Sequence, residues 1–254
     1  MRIRLVNSAV GGGNKEQFTV SFIVNDSIAI DAGCIGFLAP IEEQKCIKHV
    51  FLSHSHIDHI GSLPIFLDNV YEQGPQCPVV YGSQDVLNCI RDHFFNDTVW
   101  PDLERVSHDE SPFLRMVTLE PERPIEIDGL TITPVPLSHV VPTLGFVLDD
   151  GDAAVAIVCD TCSTEEIWSV INTTEDLQAV FLEASFPGFM KWLADKSMHL
   201  TPEMLKSETK KLKKNVRIIA IHIKAAFRDA IIEELDELGL SNLEIGQADR
   251  VYEI

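Results

Sequence analysis

Val50-Phe51-Leu52-Ser53-His54-Ser55-His56-Ile57-Asp58-His59 is the stretch on which the fold of this chain turns. Val50, Phe51 and Leu52 form a short apolar run that buries as a strand, which leaves the polar residues at its tip, in a loop before a helix. Three imidazoles and a carboxylate follow within six residues, and both groups bind divalent ions such as Zn²⁺. In extended backbone His54 and His56 point to the same side, because side chains alternate with period two. Asp58 and His59 then enter the next turn, where they can face a second ion. One ion does not easily take all four, so the spacing points to two metals. A solvated loop that happens to be His-rich is the plain alternative. It is disfavoured because three of the nine histidines stand directly beside one apolar strand.

Working outward, residues 2–7, 19–25, 27–31 and 48–53 read as strands separated by turn signals. The cluster Gly11-Gly12-Gly13-Asn14-Lys15 lacks the spacing of a phosphate-binding loop and reads as a flexible turn. Residues 58–70 have helical spacing, with Ile60, Leu63, Phe66 and Leu67 on one face. A strand at 78–81 and a helix at 84–94 precede a β-rich middle at 116–119, 130–136, 145–148 and 153–158. The last third alternates: helix 164–171, strand 179–183, helix 202–212, strand 216–221, helix 228–238. Two architectures accommodate this order, a doubly wound parallel sheet or two mixed sheets packed face to face with helices outside. The meander-like strands favour the second, but periodicity alone leaves both open. No linker-like shift in composition interrupts residues 1–254, so a single domain is expected.

The chain has 254 residues, with 20 Lys and Arg against 39 Asp and Glu, a formal charge of −19. So acidic a chain is a poor general binder of nucleic acid or of an anionic membrane, since both need a basic footprint. The start lacks the apolar run of a signal peptide, and no stretch approaches the roughly 18 apolar residues of a membrane span. Six cysteines are too dilute for a disulfide scaffold, so a reducing, cytoplasmic setting is expected.

The run His54-Ser55-His56-Ile57-Asp58-His59 after an apolar strand resembles the signature of the metallo-β-lactamase superfamily. That resemblance implies an α/β fold, a four-layer αββα sandwich of two mixed sheets flanked by helices. It also implies three further ligands at the ends of later strands, each with a candidate. His139, after a β segment, would complete a three-His site with His54 and His56. Asp160, in Ile157-Val158-Cys159-Asp160-Thr161, resembles the bridging carboxylate. His222, ending Ile218-Ile219-Ala220-Ile221-His222, would join Asp58, His59 and Asp160 in a second site, and Asp31 matches a supporting position behind the ligands.

Several segments are similar to the class II cyclic-nucleotide phosphodiesterases: residues 61–69, 94–103, 139–146, and Met198-His199-Leu200-Thr201-Pro202. This resemblance implies hydrolysis of a 3′,5′-cyclic nucleotide, cAMP ahead of cGMP, to the 5′-monophosphate. The attacking group would be a hydroxide bridging two divalent ions, Zn ahead of Mn or Fe. His199 is the candidate acid for the leaving 3′ oxygen, with Asp58 the other catalytic candidate. The bland reading of His199 is packing beside Thr201, a plausible N-cap with Pro202 in the first helical turn. Asn96 is a weaker candidate for contact with the base, as are Phe95 and Trp100, which are more readily explained as core. A homodimer is implied by the family alone.

The match has departures. Cys159 stands where the family often has Ser or Gly, and Cys159-Asp160-Thr161-Cys162 formally reads as a CxxC motif, although two buried small residues explain it better. Lys206, Lys210, Lys211, Lys213, Lys214, Arg217 and Lys224 cluster in sequence, most simply as a solvated face. Competing readings are a tRNA 3′-processing nuclease or other phosphodiesterase, a thioesterase or di-iron enzyme, and a metal-stabilised binding domain without activity. The charge helps to choose. Two divalent ions would leave the chain strongly negative around a locally cationic pocket, which suits a small phosphodiester better than RNA.

Overall fold

The computed structural model describes residues 1–8 and 18–254, so the glycine cluster at 11–13 lies outside the described residues. The chain divides into two compact units, one of Arg2–Leu119 with Ala248–Glu253, the other of Glu120–Gln247 with the two terminal residues. Each contains one mixed seven-stranded sheet. In the first unit these strands are Arg2–Leu5 (β1), Phe22–Val24 (β2), Ile28–Ile30 (β3), His49–Phe51 (β4), Val79–Gly82 (β5), Arg115–Thr118 (β6) and Val251–Glu253 (β14). In the second they are Ile125–Ile127 (β7), Leu130–Leu137 (β8), Thr143–Asp149 (β9), Ala154–Val158 (β10), Leu177–Glu183 (β11), Arg217–Ile221 (β12) and Leu243–Ile245 (β13).

The two sheets share a plan. In the first, order β14-β1-β2-β3-β4-β5-β6, pairing is antiparallel as far as β3 and parallel from β3 to β6. In the second, order β13-β12-β11-β10-β9-β8-β7, it is antiparallel from β7 to β10 and parallel from β10 to β13. These are two mixed sheets with helices, as the second architecture requires, and not one doubly wound parallel sheet. Parallel strands are covered on both faces, and β3 and β10 are accordingly buried at every position.

Each sheet buries the apolar stripe of its own helices. In the first unit Val50 and Val80 pack with Leu63, Phe66 and Leu67 of helix Leu63–Val70 and with Val86, Leu87 and Ile90 of helix Gln84–His93. In the second, Val158, Val180, Leu182 and Ala220 pack with Ile167, Trp168 and Ile171 of helix Glu166–Thr173 and with Leu205, Ile231 and Leu235. The helix start expected at Thr201 is present: its hydroxyl accepts from Met204 N at 3.4 Å, with Pro202 in the first turn of helix Pro202–Thr209.

One expected helix is two. Residues 58–70 divide into Ile57–Ile60 and Leu63–Val70. Pro64 lacks an N–H and disfavours continuation from the preceding turn. Ser62 uses the break: its N–H and hydroxyl both donate to Ala32 O, at 2.9 and 2.7 Å, and its oxygen accepts from Gly36 N at 3.0 Å. The interruption ties the segment carrying Asp58 and His59 to the loop after β3.

Candidate active site

Asp31 and His54 follow parallel strands of the first sheet, and Asp160, Glu183 and His222 end or follow parallel strands of the second, the usual place for function in sheets of this kind, whereas His139 follows the antiparallel β8. In the first unit β3 ends at Ile30 and is followed by Asp31, and β4 ends at Phe51, three residues before His54. Asp31 is fully buried, with φ of 62° in the left-handed region, strained for a residue other than glycine. Its carboxylate organises the loop. Oδ1 accepts from Ser53 N at 2.8 Å, and Oδ2 accepts from Ser53 Oγ at 2.8 Å and from His59 Nδ1 at 2.7 Å. Because Ser53 spends its hydroxyl proton on Asp31, His54 Nδ1 must donate to Ser53 Oγ, 2.9 Å away. The protonated nitrogen of His54 and of His59 is therefore Nδ1, and each ring carries its lone pair on Nε2. A supporting group that fixes the ligand tautomer in this way is the usual partner of a metal-bound histidine. The ring of His54 lies 4.6 Å from that of His56 and 4.1 Å from that of His59, centroid to centroid, so three expected ligands are together. Asp58 is half-buried in the first turn of helix Ile57–Ile60.

The second unit brings together His139, Asp160, His199 and His222. Asp160, buried two residues beyond β10, has Oδ2 4.0 Å from His139 Nε2 and 3.9 Å from His199 Nε2, while Oδ1 is 3.0 Å from His222 Nδ1. One ligand atom from each of Asp160, His199 and His222 lies within 4.8 Å of the others. The same tautomer argument applies. His139 Nδ1 is 3.0 Å from Met198 O, which can only accept, so the lone pair is on Nε2. Burial pushes the His139 pKa down, against the opposing pull of Met198 O and Asp160, which keeps the ring neutral and able to bind a cation. Met198 and His222 are also left-handed, with φ of 55° and 54°. The donor set and its tautomers fit a divalent metal.

Glu183, the last residue of β11, belongs to no ligand motif in the sequence. It is fully buried and acts as a hub. Oε1 accepts from Thr161 N at 2.8 Å and from His199 Nδ1 at 2.9 Å; Oε2 accepts from Ser185 Oγ at 2.6 Å and Leu200 N at 3.1 Å. Ser185 Oγ in turn lies 3.0 Å from His222 Nδ1. One carboxylate thus braces the residue after Asp160, the ring of His199 and the support of His222. The sequence signal was a carboxylate closing an apolar strand, the pattern also seen at Asp31.

The remaining candidates behave differently. Asn96 is engaged in its own turn: its Nδ2 donates to Asp92 O at 3.1 Å, and its Oδ1 accepts from Thr98 N and Val99 N at 3.0 and 2.9 Å. Phe95 is core and Trp100 packs against that core. Cys159 is buried but Cys162 is half-buried, so only one of the pair matches the expectation of two buried residues. Burial pushes the Cys162 thiol up, the opposite of what a reactive thiolate needs. Among the basic cluster, Lys211 pairs with Glu165 and Glu208 at 2.8 and 2.9 Å, and Arg217 with Glu244 at 2.6 Å. Lys224 instead places Nζ 3.2 Å from His222 Nε2.

Among known proteins, residues 38–144 match the family model of the class-II cAMP phosphodiesterases. The structure is similar over 99% of this chain and 98% of the other to a metallo-β-lactamase-fold protein of Bacillus subtilis, with a TM-score of 0.72 at 16% identity. The chain has a metallo-β-lactamase fold, within which residues 38–144 are similar to the class-II cAMP phosphodiesterases. This metallo-β-lactamase-fold chain also superposes on unliganded yeast PDE1 with a TM-score of 0.80 at 19% identity, covering 98% of each. In sequence it is 24% identical to a Yersinia pestis protein named "Probable 3′,5′-cyclic-nucleotide phosphodiesterase", across 95% of this chain and 83% of that one. No helix among the described residues is long and apolar enough to cross a membrane.

Proposed function

We propose that this chain is a metal-dependent phosphodiesterase that hydrolyses 3′,5′-cyclic nucleotides, cAMP first, to nucleoside 5′-monophosphates. In this reading residues 1–254 work as one hydrolase domain. The observation that carries the proposal is the convergence of His139 Nε2 and His199 Nε2 on the Asp160 carboxylate, at 4.0 and 3.9 Å, with each ring's other nitrogen already engaged. The ligand set implied by the resemblance is His54, His56 and His139 for one ion, and Asp58, His59 and His222 for the other, with Asp160 shared. Two divalent ions so held, Zn²⁺ in our reading with Mn²⁺ or Fe as substitutes, would neutralise the phosphodiester and supply a hydroxide at neutral pH.

The residues of the chain have separable tasks. Asp31 and Ser53 fix the tautomers of His54 and His59, and Asp58 adds negative charge beside them. His199 donates a proton from Nε2 to the departing 3′ oxygen, while Glu183 at Nδ1 holds the ring in line and opposes its positive charge. All six cysteines are free, which fits a reducing, cytoplasmic setting. A homodimer remains part of the reading on family grounds. The test is product analysis. Protein loaded with Zn²⁺ or Mn²⁺ is incubated with cAMP and with cGMP, and the products are separated by chromatography. The expected product is the 5′-monophosphate; no turnover of either nucleotide by fully loaded protein overturns the proposal.

A further inference from the structure

We propose that Phe189, backed by Phe227, forms the face on which the nucleobase of the substrate stacks. This rests on the cyclic-nucleotide reading above and adds the residues that recognise the base. Strands β11 and β12 are parallel neighbours, so the loops after them leave the same edge of the second sheet. The loop after β11 carries Ser185, which supports His222, then Phe186, whose ring centroid lies 5.6 Å from that of His199. Phe189 follows three residues later, its Cα within about 11 Å of that of Phe186 by chain length alone. The loop after β12 carries His222, then Lys224 against that ring, then Phe227. The rings of Phe189 and Phe227 meet edge to face, centroids 6.4 Å apart and planes at 84°.

Phe189 is 70% exposed, yet its backbone is anchored. Gly188 N donates to both oxygens of Glu234, at 2.9 and 2.8 Å, and a Cβ on Gly188 would stand 3.2 Å from Glu234 Oε2. An exposed aromatic ring on a pinned turn is organised before its partner arrives, and little ordering cost remains to be met on binding. Stacking on such a ring tolerates any base, because every base has a π face. Trp192, the other exposed aromatic nearby in sequence, has Lys196 Nζ 5.7 Å from its ring centroid. Phe95, Trp100 and Asn96 are engaged within the first unit, as described above.

The experiment measures binding of two ligands to zinc-loaded protein by calorimetry: adenosine 5′-monophosphate, which has a base, and ribose 5-phosphate, which does not. Phe189→Ala should weaken binding of the first about 5- to 150-fold, the range expected for loss of one base–aromatic stack, and lower its advantage over the second by the same factor. Phe189→Tyr keeps the ring and should restore that advantage. If Phe189→Ala leaves nucleotide binding as in the wild type, or weakens both ligands equally, the base platform is wrong. Wild-type turnover of cAMP judges the cyclic-nucleotide reading separately, so the two failures are distinguishable.

Discussion

His199 shows at the scale of one residue how function and packing can be told apart. Its Nδ1 is held by the buried Glu183 at 2.9 Å, and its Nε2 stands 3.9 Å from Asp160 Oδ2, almost the same separation as His139 Nε2. A histidine that only filled space beside Thr201 would not need a buried carboxylate behind it. The geometry allows two duties for Nε2, proton donor or metal ligand, and they differ in outcome. As a donor, His199→Ala cuts cAMP turnover about a hundredfold or more while metal content by elemental analysis is unchanged. Loss of an ion with the side chain, or turnover that stays at the wild-type rate, contradicts the donor role. The histidines were legible in the sequence because four potential ligands, three His and one Asp, fell within six residues and later ones followed apolar strands. Glu183 and Ser185 were less so: a lone carboxylate becomes informative only when the fold shows that it is fully buried and whom it holds.

At the scale of elements, the loop after β3 and the segment of Asp58 fit against each other with almost no clearance. Gly33 N donates to Val20 O at 3.1 Å, Val20 N donates to Asp58 O at 2.8 Å, and Ala32 N to His59 O at 2.6 Å. A Cβ at Gly33 would fall 2.1 Å from Asp58 O and 2.7 Å from Val20 O, both backbone atoms that cannot rotate away. Gly33→Ala should therefore destabilise the chain by about 1–3 kcal/mol in urea unfolding, the cost of forcing atoms into a packed site. It should also weaken metal binding, although no ligand is altered. Wild-type stability and metal affinity in this variant would show that the loop has slack. The sequence disclosed most strands and helices because their apolar periods were regular. It placed a single helix over 58–70 because the face of Ile60, Leu63, Phe66 and Leu67 runs on across the break; the hydrogen bonds of Ser62 to Ala32 that divide it are tertiary.

The whole molecule combines a charge of −19 with a shared plan in which most of the candidate histidines and carboxylates follow the strands of two mixed sheets. So negative a charge disfavours long polyanions, and in the proposed function the attraction for a phosphodiester has to come from the cations the ligand sets would hold and from nearby basic groups. Fold class was open from periodicity and became definite only through the histidine signature, since mixed and parallel sheets share the same local spacing. In the proposed function the two ligand sets serve a dinuclear, catalytic centre. The most direct measurement is titration of metal-stripped protein with Zn²⁺ or Mn²⁺, following bound ion and cAMP turnover together. Binding of two ions per chain is expected, with turnover absent in chelator and rising as the ions bind. Turnover that persists in the stripped protein, or none at full occupancy, would contradict the proposed function.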